Sequence, residues 1–348
     1  MFFRVVTAVV AVTTFLTGAK ASEPEVSAAS AILIDVDSER VLWSKNAQKQ
    51  SLIASTTKIM TALIVAQKCD LHQIIRVSDE AVGVEGSSIG LYRGEQISVE
   101  ALLYGMMLRS GNDAAAALAI HCAGSIADFS CMMNQKASEI GLHDTNFTNP
   151  HGLDAEDHYS TAYDLARLTA YALKDPVFRQ VVSTKTIIFG DRTFTNHNKL
   201  LWQYDGAIGV KTGYTRSAGR ILVSAAERDD RLLVAVTINA PDDWRDHSKM
   251  LDYGFEAYHS FCAIHSGEAV AQVPVMYGAS EYACVSVKDD VFCAVGADER
   301  VSVDIQLPSV CFPPVSAGDK AGVAIIMING KPERTVPLIW MRTVLEGA

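Results

Sequence analysis

The sequence predicts an α+β fold: a mainly antiparallel sheet carrying an all-helical insertion, followed by a small all-β domain. Three observations carry this. Strand patterns occur near the start and again over residues 186–239, with helical patterns from about Ser51 to Leu173 between them. From Gly267 onward, short alternating segments separated by turn residues take over. The chain of 348 residues is long enough for one large core and a second, smaller one.

The first 21 residues are set apart. Arg4 follows Met1-Phe2-Phe3, Val5 to Gly18 is uncharged and mostly apolar, and Ala19-Lys20-Ala21 supplies a small-x-small pattern. This predicts a cleaved signal peptide over 1–21, because the run is short for a membrane span of ~20 residues. The protein is then expected to be exported, to the periplasm or another extracytoplasmic space. A hairpin follows, with Ala31 to Val36 and Val41 to Trp43 flanking the turn Asp37 to Arg40. Ile59 to Ala66 is almost wholly apolar and suits a segment buried on all sides. Val99 to Leu108 and Ala114 to Ala123 are apolar helices flanking a break, and Asp128 to Ile140 is amphipathic with Gly141 as its stop. Thr161 to Leu173 is a further helix. Strands return at Thr186 to Phe189, Thr193 to Thr195, Arg220 to Ala226 and Leu232 to Asn239, and Met250 to Phe261 reads as a closing helix. These elements place one domain over 22–265 and an all-β domain over 266–348.

Composition narrows the function. Hydrophobic residues at 49% and charged residues at 20% exclude wholesale disorder. A net charge of −10 argues against nucleic acid, whose phosphates need a basic field. His143, His151 and His158 have no metal-ligand spacing, there is no CxxC, and no metal is expected. Export would permit disulfides, although seven cysteines leave at least one unpaired within the chain. A two-residue turn at Lys288-Asp289 would set Cys284 opposite Cys293, within reach of a bridge. A longer turn would leave them as two small apolar side chains facing the core.

Three short motifs carry the chemistry. In Ser55-Thr56-Thr57-Lys58, positions i and i+3 share a helical face, so the hydroxyl and the amine can meet. Serine needs a base to become a nucleophile, and lysine becomes one only if burial and a second cation lower its pKa. Ser110-Gly111-Asn112 lies in the break between two helices, where both polar residues would also serve as caps. Lys211-Thr212-Gly213 precedes Tyr214-Thr215, and a glycine beside a strand end marks close approach by a backbone or a ligand. Each motif is bland alone. In this order, separated by 55 and 101 residues, they match the S-x-x-K, S-D-N and K-T-G signature, with Gly111 in the middle of the second.

Intervening segments extend the match: Asn149-Pro150-His151-Gly152-Leu153-Asp154, His158 to Ala166, and Asn196 to Leu201. Over residues 25 to 265 the chain resembles the D-alanyl-D-alanine carboxypeptidases, the low-molecular-mass penicillin-binding proteins, and the β domain resembles that family's C-terminal domain more loosely. The resemblance implies a penicillin-recognising serine-enzyme fold, a peptidoglycan stem peptide ending in D-Ala-D-Ala as substrate, β-lactams as covalent inhibitors, and no cofactor. It implies Ser55 as nucleophile, Lys58 as base, Ser110 as proton relay and Asn112 on the wall of the groove. Lys211 would face the terminal carboxylate with Thr212 assisting, next to Gly213, and the backbone N–H groups of Ser55 and Tyr214 would form the oxyanion hole. Lys211 would also be the second charge that depresses Lys58. His151 and Asp164 read as supporting structure.

Two departures stand out. Arg216 occupies a position where the family commonly has small residues, which implies a reshaped groove mouth. The family often ends in a membrane-binding amphipathic helix, whereas the 11 residues Leu338 to Ala348 are too few for a strong one, so peripheral membrane contact is not signalled. Competing readings are a D,D-endopeptidase, a catalytically silent wall-binding protein, and a class A-like β-lactamase. The last needs a deacylating glutamate, and its nearest candidate, Glu139, falls in the last turn of a helix.

Overall fold

The computed structural model describes residues 22–347 and, for the backbone alone, Val6–Val12. The rest of the expected leader, 1–21, lies outside the described residues. The chain forms two compact units, one of residues 23–36 and 41–254, the other containing 37–40 and 255–347.

The larger unit is built on a five-stranded antiparallel sheet in the spatial order Val41–Lys45, Ser30–Asp35, Arg231–Ile238, Gly219–Arg228, Ala207–Thr215. The middle strand, Arg231–Ile238, is buried at every position, so its near-continuous apolar run is that of a strand covered on both faces. The helices are α1 Lys58–Lys68, α2 Val99–Arg109, α3 Asn112–Ala123, α4 Ile126–Ile140, α5 Ala162–Ala172, α6 Pro176–Ser183, the single turn α7 Leu200–Gln203, and α8 Asp243–Ala257. Local chemistry sets their ends. The hydroxyls of Ser98, Ser125 and Thr161 accept N–H groups of the first turns of α2, α4 and α5. Asp175 caps α6 ahead of Pro176 at N1, and Gly124 and Gly141 end α3 and α4 in left-handed conformations.

The core lies between sheet and helices. α1 is buried from Lys58 through Val65, which explains its apolar residues all round. Leu63 there is fully buried, and cutting such a side chain to alanine costs ~2–5 kcal/mol. Among the described residues no single helix is long and apolar enough to cross a membrane.

The closing helix expected to reach Phe261 stops at Ala257. Tyr258–Ile264 is instead a strand paired with Val291–Gly296, and ladder pairing by Tyr258 and Phe261 outweighs the helical pattern. In the smaller unit a six-stranded antiparallel sheet runs Val6–Val12, Val301–Leu307, Lys320–Ile328, Lys331–Trp340, Tyr282–Ser286, Ala271–Pro274. Val301–Leu307 alternates buried and half-buried residues, and the tight turn Asn329-Gly330 has positive φ at both positions. The expected Cys284–Cys293 hairpin is not formed. Tyr282–Ser286 pairs with Ala271–Pro274 and Lys331–Trp340, while Val291–Gly296 turns away to pair with Tyr258–Ile264. Both cysteines are free, with Cys293 packed into the β core.

Candidate active site

Ser55 sits in a short 3-10 turn, Ala54–Thr57, that leads directly into α1. The turn is held in a sparsely populated conformation: Ala54 has φ 45°, a strain of the kind that collects at functional sites. Its partner segment explains how. Gly152, at φ +89°, lies so close to this turn that a Cβ there would stand 1.8 Å from the Ala54 carbonyl oxygen. Thr57 donates to the same Ala54 oxygen at 2.9 Å and meets His158 Nε2 at 2.7 Å. The Thr148 N–H donates to His158 Nδ1, which makes Nε2 the protonated nitrogen. Burial holds His158 neutral, with its pKa lowered to about 4.

Lys58 is the centre of the site. It is fully buried, and its Nζ has three partners: Ser55 Oγ at 3.0 Å, Asn112 Oδ1 at 2.6 Å and the His151 carbonyl oxygen at 2.6 Å. The Asn112 amide orientation is fixed because Nδ2 donates to the Glu85 carbonyl at 2.5 Å. Burial, and then the charge of Lys211, push the Lys58 pKa well below its ordinary value, against a smaller opposing pull from Asp113. Lys211 is buried too, donates to the Thr212 carbonyl at 2.9 Å, and is lowered by burial to about 7.

The break between α2 and α3 is more specific than a pair of caps. Ser110 ends α2 in a left-handed conformation, φ 63°, and Gly111 is the N-cap of α3. Asn112 does not cap; it is spent on Lys58. Asp113 is buried and accepts from the N–H groups of Ile89 and Leu91 and from the Ser88 hydroxyl, tying down the 88–91 loop. From the sequence Asp113 reads only as an acid in the first turn of an apolar helix, and its hold on the 88–91 loop comes from the tertiary fold.

Ser55, Ser110, Thr212, Gly213 and Tyr214 line one open cleft of about 530 Å³. Lys211, Thr212, Gly213 and Tyr214 lie on the strand Ala207–Thr215. A Cβ on Gly213 would come within 3.3 Å of the Ser55 backbone nitrogen, so the glycine keeps that N–H approachable. Also lining it are His197 and Lys199, from the matched segment Asn196 to Leu201, and Ser87, Arg220, Asp243 and Trp244, which the sequence did not single out. Arg220 pairs with Asp243 at 2.8 Å. His197 is kept neutral, at about 4, by burial and by the charges of Lys211 and Arg109.

The remaining residues fall outside the chemistry. Asp164 accepts from the Asp144 N–H and the Thr145 hydroxyl. Arg216 is exposed in the turn after Ala207–Thr215. Glu139 is exposed on α4 and paired with Lys136 at 2.6 Å.

Comparison with known proteins bears on the fold and the family. The D-alanyl-D-alanine carboxypeptidase family profile matches residues 17–242, and that of the penicillin-binding protein 5 C-terminal domain matches 258–346. The chain is 32% identical to the D-alanyl-D-alanine carboxypeptidase DacF of Bacillus subtilis, covering 90% of this chain and 85% of that one. It is 33% identical to DacD of Salmonella typhimurium, covering 93% and 88%. Its structure is similar to penicillin-binding protein 5 of Haemophilus influenzae, with TM-score 0.84 and 28% identity over 94% of this chain and all of that one. It is also similar to a mutant of the Streptomyces K15 DD-transpeptidase, with TM-score 0.64 and 32% identity over 67% of this chain and 99% of the other. The family profile spans the stretch that carries the three motifs, and the chain belongs to the D-alanyl-D-alanine carboxypeptidase family.

Proposed function

We propose that the protein removes the terminal D-alanine from peptidoglycan stem pentapeptides through an acyl-enzyme on Ser55. The observation that carries this is the set of partners around Lys58. The His151 carbonyl oxygen and Asn112 Oδ1 can only accept, at 2.6 Å each. A neutral amine has two N–H groups to give them, and its lone pair then points at the Ser55 hydroxyl 3.0 Å away. Lys58 with a lowered pKa is therefore placed to take the Ser55 proton.

Ser55 Oγ attacks the carbonyl carbon of the penultimate D-alanine as its proton passes to Lys58 Nζ. The developing oxyanion faces the N–H groups of Ser55 and Tyr214. The C–N bond breaks, and the departing D-alanine amine takes up a proton relayed by Ser110. A water then cleaves the ester, giving its proton to Lys58 and restoring Ser55. Lys211, with Thr212, receives the substrate's terminal carboxylate. That carboxylate favours the charged form of Lys211, and a charged Lys211 lowers Lys58 further. β-Lactams acylate the same serine. The same reading puts the enzyme outside the cytoplasmic membrane, with the leader cut after Ala21, which removes the edge strand Val6–Val12 and leaves five strands in the smaller unit's sheet.

Mass spectrometry of the protein after incubation with a penicillin, alongside D-alanine release from a D-Ala-D-Ala peptide, tests the assignment. Ser55→Ala is expected to lose both the penicilloyl mass and D-alanine release. Labelling of that variant at the wild-type rate would remove Ser55 from the mechanism.

A further inference from the structure

A second cluster of reactive side chains lies in the smaller unit, outside the carboxypeptidase chemistry. Cys262 is on the strand Tyr258–Ile264, at an irregularity in its pairing with Val291–Gly296. His265 follows that strand, and Asp290 immediately precedes its partner. The antiparallel ladder therefore brings together residues 25 positions apart in sequence. Cys262 Sγ lies 3.4 Å from His265 Nδ1, and His265 Nδ1 lies 3.8 Å from Asp290 Oδ2. The three ligand atoms are all within 4.8 Å of one another.

These separations approach those of a coordination shell. Zinc bonds of ~2.3 Å to sulfur and ~2.0–2.2 Å to nitrogen or oxygen, at tetrahedral angles, set neighbouring ligand atoms ~3.3–3.6 Å apart. The sulfur–nitrogen gap is already in that range at 3.4 Å, the nitrogen–oxygen gap is 3.8 Å, and sulfur and carboxylate oxygen lie within 4.8 Å. The ligands are also oriented. The Ser266 N–H donates to Asp290 Oδ1 at 2.7 Å, which turns Oδ2 toward the histidine, as outer contacts do around metal-binding carboxylates. The charged neighbours that act on Cys262 are Asp290 and Glu268, both acidic, so the surroundings favour an added cation. A sulfur, nitrogen and oxygen donor set suits zinc rather than calcium or magnesium, which take oxygen ligands.

We propose that Cys262, His265 and Asp290 form a three-residue site for a zinc-type divalent cation, with water as the fourth ligand. On binding, the Cys262 thiol proton, now directed at the Ile264 carbonyl 3.3 Å away, is released to solvent and a sulfur–metal bond replaces that contact. His265 and Asp290 are exposed, so the cation enters without opening the fold. The clip joins the end of one strand to the start of its partner. The sequence carried no zinc-type spacing, because only the strand pairing brings Asp290 to Cys262 and His265.

The test uses the reduced full-length protein titrated with cobalt(II) and then zinc. One equivalent of cobalt is expected to give a near-ultraviolet thiolate-to-cobalt charge-transfer band with tetrahedral visible bands, and zinc should displace it. Cys262→Ser, His265→Ala and Asp290→Asn are each expected to weaken zinc binding at least tenfold by calorimetry, while penicillin labelling of Ser55 stays at the wild-type rate and a wild-type far-ultraviolet circular dichroism spectrum and urea midpoint of the full chain report intact folding. Cys69→Ala and Cys122→Ala should leave the band unchanged. Absence of the band in the wild-type protein, its survival in Cys262→Ser, or its loss in Cys69→Ala would overturn the site.

Discussion

Two buried lysines divide the work at the residue scale. In the proposed mechanism Lys58 has to be neutral to accept a proton and Lys211 has to be charged to hold a carboxylate, yet burial lowers both. For the free enzyme this gives a bell-shaped dependence of kcat/KM on pH. The acid limb follows protonation of Lys58, and the alkaline limb follows loss of the Lys211 charge near 7. Lys211→Ala should lower kcat/KM for peptides with a free terminal carboxylate roughly ten- to hundredfold, the loss of a charge-assisted hydrogen bond worth ~1.5–3 kcal/mol. Amidated analogues should change far less. Equal losses on both peptides in steady-state assays would show that Lys211 does not read the carboxylate.

At the element scale, the question is what each helix presents to the cleft. A β-lactamase needs a glutamate that activates water, and the candidate from the sequence, Glu139, points to solvent from α4 and pairs with Lys136. The penicilloyl adduct should therefore persist long after free penicillin is removed, as followed by intact mass over time. Rapid return to the unmodified mass, with multiple turnovers, would restore the β-lactamase reading. The helices themselves were legible because their ends are written locally, as at Thr161 and Gly141. The three motifs were legible as well, because each occupies a few consecutive residues. What escaped depends on pairing between distant segments. Cys284 and Cys293 looked like hairpin partners only while their strands were assumed to be neighbours. Tyr258 looked helical until Val291–Gly296 offered it a ladder. The His151 carbonyl that grips Lys58 is a backbone group, which no side-chain pattern can announce.

For the whole molecule, the neutral buried histidines set the acid limit of stability. His247 is enclosed between Ser224 and Thr237 with its pKa lowered to about 3, and His158 is lowered to about 4, both mainly by burial. The unfolded chain protonates its histidines near ~6.5, so below that pH it binds protons the folded chain refuses. Stability contributed by these groups is present above ~6.5 and is lost as pH falls toward about 4, at up to about 1.4 kcal/mol per pH unit for each histidine. Urea midpoints of the full chain at pH 7 and pH 5 measure this, and the midpoint should be clearly lower at pH 5. Equal midpoints would mean that these histidines are already solvated in the native state.

The grip on Lys58 comes from three stretches of chain: the helix that bears it, the break before α3 and the segment around His151. Until all three have met, the lysine is an ordinary solvated ammonium and Ser55 an ordinary alcohol. A half-folded chain therefore carries no armed nucleophile, and competence should arrive in a single step with the closing of the core. A penicillin added at intervals during refolding would act as a stopwatch, marking covalently only those molecules that had finished.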